Sequence, residues 1–204
     1  GMPAVAVTDH GNMFGAFDFY KQAISAGIKP ILGCEVYVAT GDRKDKTRRG
    51  SHHLILLART QEGFSNLKYL VSMGYLEGFY YNPRVDKELL AKHSAGLIAC
   101  TACLGGEVAR EFASGGYEKA RAAADSLNRI FEPGMFFLEV QNNGYDGQAQ
   151  YNQALRRIGQ ELDIPLVATN DCHYLTPEDA RAHTVLMCIG KSTTLDDPKN
   201  NFHY

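Results

Sequence analysis

The strongest constraint on the fold is a rhythm. Short apolar, β-branched runs alternate with helical patterns roughly every 30 residues, the habit of strand–helix–strand units. Strand-like runs fall at residues 4–7, 31–39, 53–58, 96–100, 135–140 and 166–169. Helical periodicity falls at 14–26, 62–76, 86–93, 107–112, 117–131, 148–162 and 176–189. Gly27 follows the first helical run as a C-terminal glycine, and Thr176-Pro177 opens the last with a cap residue and an early proline. Repeated units of this kind predict an α/β fold with a parallel sheet, either doubly wound or a barrel.

The polar residues choose between the two. They follow the strands: Thr8-Asp9-His10, Thr101-Ala102-Cys103, Gln141-Asn142-Asn143 and Asn170-Asp171-Cys172-His173, with Glu35 inside the second run. Chemistry gathered from many strand ends is the habit of a barrel face, whereas a doubly wound sheet concentrates it at one switch point. A barrel lacking one strand is therefore expected.

Composition narrows the function classes. At 204 residues the chain suits one sizeable domain. A net charge of -2 gives no general drive towards nucleic acid or anionic lipid. No apolar run has the length of a membrane span, and no signal peptide is evident. Five cysteines in such a chain predict reduced thiols. Gly1-Met2-Pro3 is either a cloning remnant or the turn between a helix and a strand.

Asp9, His10, Glu35, His52 or His53, Cys103, Asp171 and His173 are side chains that bind zinc, manganese or iron. Any one pair could be a satisfied structural pair. Repetition at successive strand ends favours a shared site, because burying such groups unpaired is costly. If residues 171–173 continue a strand, Asp171 and His173 share one side and Cys172 turns away to pack. Carboxylates and imidazoles on adjacent strand ends can hold two or more divalent ions, a setting for phosphoryl chemistry. The mixed oxygen and nitrogen set suits manganese or zinc, and Cys103 favours zinc at its own position.

Other motifs are open to two readings. Cys100 and Cys103 match C-x-x-C, but no Trp accompanies them and Leu104-Gly105-Gly106 follows, which disfavours a redox pair. Cys34, Cys100 and Cys188 read as packing thiols. Leu104-Gly105-Gly106-Glu107 reads as a turn rather than a phosphate cradle. Residues 40–51 carry Arg43, Lys44, Lys46, Arg48 and Arg49 against Asp42 and Asp45, a solvated loop or a phosphate-backbone contact. The cluster Tyr75, Phe79, Tyr80 and Tyr81, with Arg84, either packs a helix end or stacks nucleobases.

The runs AVAVTDHGNMFGAFDFY, ILGCEVYVA, HLILLARTQEGFSNLKYL, YLEGFYYNPRVDKELL, GLIACTACLGGEVA and VATNDCHYLTPEDARAHTVLMCIGKSTTLDD resemble, in this order, the polymerase-and-histidinol-phosphatase (PHP) domain of bacterial replicative DNA polymerase III α subunits. The resemblance implies a distorted, seven-stranded (β/α)7 TIM-like barrel whose first strand, with its His-x-His motif, is missing here. It implies a PHP domain over residues 1–190 and the start of a linker over 191–204. It implies a zinc or manganese cluster on His10, Glu35, His53, Cys103, Asp171 and His173, incomplete without the missing strand. His53 is preferred to His52 because the family's His directly precedes the L-x-L-L-A run. Asp9 would orient His10 and join Asp171 and His173 as catalytic residues.

The implied function is that of part of a DNA-directed DNA polymerase. The domain itself would be a metal-dependent 3′–5′ exonuclease-type phosphoesterase or a structural remnant of one, unable to polymerise alone. A free-standing histidinol-phosphatase-like enzyme is the alternative. The implied partners are DNA, through the full-length polymerase, and the other holoenzyme subunits, including a proofreading subunit where that is separate. Apart from the resemblance, the basic loop and the aromatic cluster make Arg43, Lys44, Arg48, Arg49 and Arg84 the candidate nucleic-acid contacts. The implied location is the cytoplasm, with no membrane partner.

Overall fold

The computed structural model describes residues 1–197. Its centre is a seven-stranded sheet. The strands are β1 (Ala4–Val7), β2 (Lys29–Ala39), β3 (Ser51–Ala58), β4 (Arg84–Val85), β5 (Leu97–Cys100), β6 (Phe136–Val140) and β7 (Leu166–Ala168). They run in the order β1-β2-β3-β5-β6-β7, with β4 paired to β2 off this path. The expected strand positions are met to within a few residues. The extra strand, β4, has only two residues, too few to show a period.

The all-parallel expectation is corrected at β3. This strand runs antiparallel to both β2 and β5, while the β1–β2, β2–β4, β5–β6 and β6–β7 pairs are parallel. The cause is the connection at residues 40–50, which contains no helix. A parallel partner needs a crossover of a dozen or more residues, usually helical, whereas a plain loop simply turns the chain back. The sheet is also open: among the described residues no ladder joins β1 to β7. The result is a curled half-barrel.

The helices are α1 (Ala16–Ser25), α2 (Gln61–Leu76), α3 (Lys87–Lys92), α4 (Glu107–Asn128), α5 (Gln148–Leu162) and α6 (Ala180–Lys191), the last preceded by a 3-10 turn at Pro177–Asp179. Thr60 caps α2 by accepting the Gly63 N–H, and Asp86 caps α3 by accepting that of Leu89. The two helices expected at 107–112 and 117–131 form one long element bent at Gly116, whose φ of 75° breaks the helical run. Thr176 and Asp179 form a reciprocal capping box before α6. The expected linker falls on α6's last residue and the segment after it; residues 198–204 lie outside the described structure.

Leu54, Leu56, Leu67, Leu70, Leu97, Phe136, Leu138, Leu155 and Ile158 are fully buried. They join the sheet to α2 and α5 in one core. Each such side chain contributes about 1.5–3 kcal/mol on burial. That core holds rigid the strand ends from which the polar residues project.

Candidate metal centre

Two imidazoles converge on one carboxylate oxygen. Glu35, only 3% exposed, presents Oε1 to His10 Nδ1 at 2.6 Å and to His53 Nδ1 at 2.8 Å. Glu35 reaches this point from the middle of β2, paired opposite Ile55 of β3. His10 arrives from the loop after β1, which is fixed to β2 by the Glu35 N–H donating to the Asp9 carbonyl and the Gly11 N–H donating to the Glu35 carbonyl. His53 comes from the start of β3, where its N–H donates to the Gly105 carbonyl at 3.1 Å.

Cys103 completes the group. Its Sγ lies 3.6 Å from His53 Nδ1 and accepts the Gly105 N–H at 3.4 Å. One ligand atom each from Glu35, His53 and Cys103 falls within 4.8 Å of the others. Glycine is required beside them: a Cβ on Gly105 would meet His53 Nδ1 at 2.9 Å. The segment 104–106 is thus the tight turn expected, and it sets the imidazole against the thiol.

The electrostatics follow from this crowding. Burial would raise the Glu35 carboxyl, but the hydrogen bonds from His10 and His53 outweigh it and bring its pKa down to about 2. His53 is raised to about 10, first by the Cys103 sulfur and then by Glu35. His10 is raised by its bond to Glu35. The group therefore favours positive charge beside Glu35, and its donors are those that hold a divalent metal.

The second half of the expected site is looser. The His173 ring centroid lies 5.5 Å from that of His10, and Asp171 is close enough to help raise the His10 pKa. Their geometry differs from the expected strand alternation. The strand stops at Ala168, and Asp171 adopts a left-handed φ of 50°. Cys172 is exposed, not packed, because the strand has ended before it and residues 169–172 are irregular, leading into a bend at 173–176. Asp9 is exposed and its carboxylate lies on the Gly15 side; Glu35, not Asp9, orients His10. His53 lies against Glu35 and Cys103, whereas His52 lines a separate cleft with Glu107 and Glu111. Cys34 and Cys100 are buried core thiols pushed up to about 12 by burial, and Cys188 is also buried.

The family model described as the PHP domain matches residues 1–143. The chain belongs to the PHP domain family. This PHP domain is 46% identical over 202 residues to the DNA polymerase III subunit alpha of Thermus aquaticus, covering 97% of this chain and 16% of that protein. It is 44% identical over 208 residues to that of Helicobacter pylori (strain ATCC 700392 / 26695), covering 97% and 17%. Against Deinococcus radiodurans it is 44% identical over 209 residues, covering 99% and 16%. The chain thus spans about one-sixth of the length of these relatives. A solved structure from Bifidobacterium adolescentis, assigned as a metal-dependent phosphoesterase, shares the fold at TM-score 0.50 and 13% identity, covering 92% of this chain and 86% of its own.

The PHP domain's basic residues divide sharply. Arg84 is 1% exposed and cannot meet DNA, a correction to the expected contact set. Its guanidinium donates to the carbonyls of Gly78 (3.1 Å), Arg48 (2.6 Å), Arg43 (3.0 Å) and Asp45 (2.8 Å), fastening the 40–50 loop. Arg43 is likewise engaged, with Glu77 and Asp86. Lys44, Arg48 and Arg49 remain exposed. Arg49 lies 3.7 Å over the Tyr81 ring, and Tyr75 stacks on Phe79 at 6.1 Å.

Sequence reasoning missed Glu139. It is buried at 6% exposure in β6, and burial raises its carboxyl pKa. Its signal was a single acid within the otherwise apolar run FFLEV.

Proposed function

We propose that this chain is the PHP region of a replicative DNA polymerase III α subunit, and that its centre hydrolyses phosphodiester bonds at DNA 3′ ends with divalent metal. The supporting observation is the convergence of Glu35, His53 and Cys103 ligand atoms within 4.8 Å, with His10 on the same Glu35 oxygen. The relatives' identity as polymerase subunits favours this over a free-standing histidinol-phosphatase-like enzyme. No helix of the described residues is long and apolar enough to cross a membrane, and we assign the domain to the cytoplasm, over residues 1–190.

His10, Glu35, His53, Cys103, Asp171 and His173 would hold the ions, zinc being favoured by the Cys103 sulfur and manganese by the carboxylates. Bound divalent ions lower the pKa of water and neutralise charge on a reacting phosphoryl group. The chain's own residues prepare that setting. Glu35 holds the His10 and His53 rings in place, and Gly105 donates to the Cys103 sulfur. Asp9 and His173, both exposed, are open to the substrate or its protons. Lys44, Arg48 and Arg49 supply exposed positive charge for a phosphate backbone. The other polymerase subunits, including any separate proofreading subunit, are the proposed protein partners.

The test combines elemental analysis with nucleotide release from a single-stranded 3′ end. Bound zinc or manganese is expected, with release abolished by Asp171→Asn and His173→Ala. A chain that takes up neither metal refutes the proposal.

A further inference from the structure

Glu139 takes no part in the proposed ligand set, yet it is a carboxylate at 6% exposure. Strand β6, which carries it, lies between β5 and β7. The loop after β5 carries Cys103, and the loop after β7 carries Asp171 and His173. These two loops leave strands that do not pair with one another.

Glu139 reaches both. Its Oε2 accepts the Ala102 N–H at 2.8 Å, and its Oε1 accepts the Thr169 hydroxyl at 2.6 Å. In return, the Glu139 N–H donates to the Thr101 hydroxyl oxygen at 2.8 Å. Thr169 also accepts Gln141 Nε2 at 3.1 Å, and the Gln141 carbonyl accepts Asn152 Nδ2 from α5 at 2.7 Å. The strut is therefore anchored to a rigid helix.

The bonds fall where the backbone most needs them. Ala102, directly before Cys103, has a φ of 60°, and Asp171, two residues after Thr169, has a φ of 50°. A non-glycine residue stays in the left-handed region only where its surroundings over-determine it. Each Glu139 oxygen holds a donor from a different loop, so this one carboxylate ties the two loops together.

We propose that Glu139 is a positioning residue of the metal centre, holding the Cys103 loop and the Asp171–His173 loop at a fixed separation. The proposal rests on Cys103 and Asp171 being ligands, as proposed above.

The experiment uses cobalt(II) as the probe. Near-ultraviolet absorption from thiolate-to-cobalt charge transfer reports Cys103, and titration of the chain gives the affinity. Glu139→Ala is expected to weaken binding by about 10–100-fold, the usual effect of losing a group that orients a ligand, and to remove the thiolate band. Glu139→Gln keeps an acceptor for Ala102 and should recover the band in part. Leu155→Ala, a core control, should lower stability and leave band and affinity intact. If Glu139→Ala does not fold, Thr169→Val is read instead; it removes the Oε1 bond together with the Gln141 bond to the same hydroxyl, leaves the Ala102 bond, and should weaken cobalt binding while keeping the band. Unchanged affinity in Glu139→Ala, or in Thr169→Val where that variant is the one read, overturns the proposal. So does equal weakening by Leu155→Ala, which marks a merely structural role. A missing thiolate band in the unsubstituted chain overturns the Cys103 assignment itself, and is thereby distinguished from a failure of Glu139 alone.

Discussion

Replacing Arg84 by Met should detach the 40–50 loop. The guanidinium makes four hydrogen bonds to main-chain carbonyls, and three of those carbonyls belong to the loop. Bonds to a charged donor contribute about 1.5–3 kcal/mol each, and burying the guanidinium costs several kcal/mol, so the net loss should be about 3 kcal/mol. With a urea m-value near the upper end for small domains, that lowers the unfolding midpoint by about 1 M. Arg84→Lys should recover little, because an ammonium lacks the planar fork that spans these acceptors. The sharper assay is limited trypsin digestion. Lys44, Lys46, Arg48 and Arg49 are all exposed cleavage sites in the fastened segment. Cleavage there should accelerate in the Met variant under conditions where the core resists. An unchanged midpoint together with unchanged cleavage would refute the view that Arg84 fastens the loop.

In the chelator-treated chain, the stability difference from Glu35→Gln should depend on pH. His53, raised from 6.5 to about 10, contributes fully below pH 6.5 and loses its contribution as pH rises through about 10. Glu35, lowered from 4.5 to about 2, contributes fully above pH 4.5 and loses it as pH falls through about 2. The gap should therefore be widest between pH 4.5 and 6.5 and narrow by pH 10, as read by denaturant titration; a flat profile refutes the pairing of the Glu35 carboxylate with a charged imidazole. Gly105→Ala should push the His53 ring off Glu35 and weaken metal binding by about 10-fold with the fold retained, checked by cobalt titration and circular dichroism. Thr60→Ala should cost about 1 kcal/mol by removing the α2 cap, with metal binding unchanged, as shown by parallel melting and cobalt titrations.

Much of this molecule is readable from local pattern. The β5, β6 and α5 segments announce themselves by period, and Gln148–Leu162 is matched residue for residue. Glu35 and His53 were visible as polar residues within apolar strand runs. What escaped depends on contacts distant in sequence or on unusual backbone. The direction of β3 depends on a loop with no period of its own. Arg84 looked like a surface cation because its acceptors lie 6 to 41 residues away along the chain. Asp171 and Cys172 were misplaced because a left-handed residue ends the strand's alternation, and no neighbour in TNDCHYL announces it. Glu139 was passed over because its partners, Ala102 and Thr169, lie 37 and 30 residues away.

The open edges of the sheet carry one more consequence. Strand pairs elsewhere are laced by main-chain bonds that a chelator leaves untouched. At the β1 and β7 edges, the approach is between the rings of His10 and His173, 5.5 Å apart. A cation held by both would be a clasp, drawing its closing force from free metal in the surroundings. Amide exchange in β7 would then serve as a gauge of metal supply, slow with the clasp shut and fast once a chelator opens it, while the β2–β3 ladder keeps its own unaltered rate.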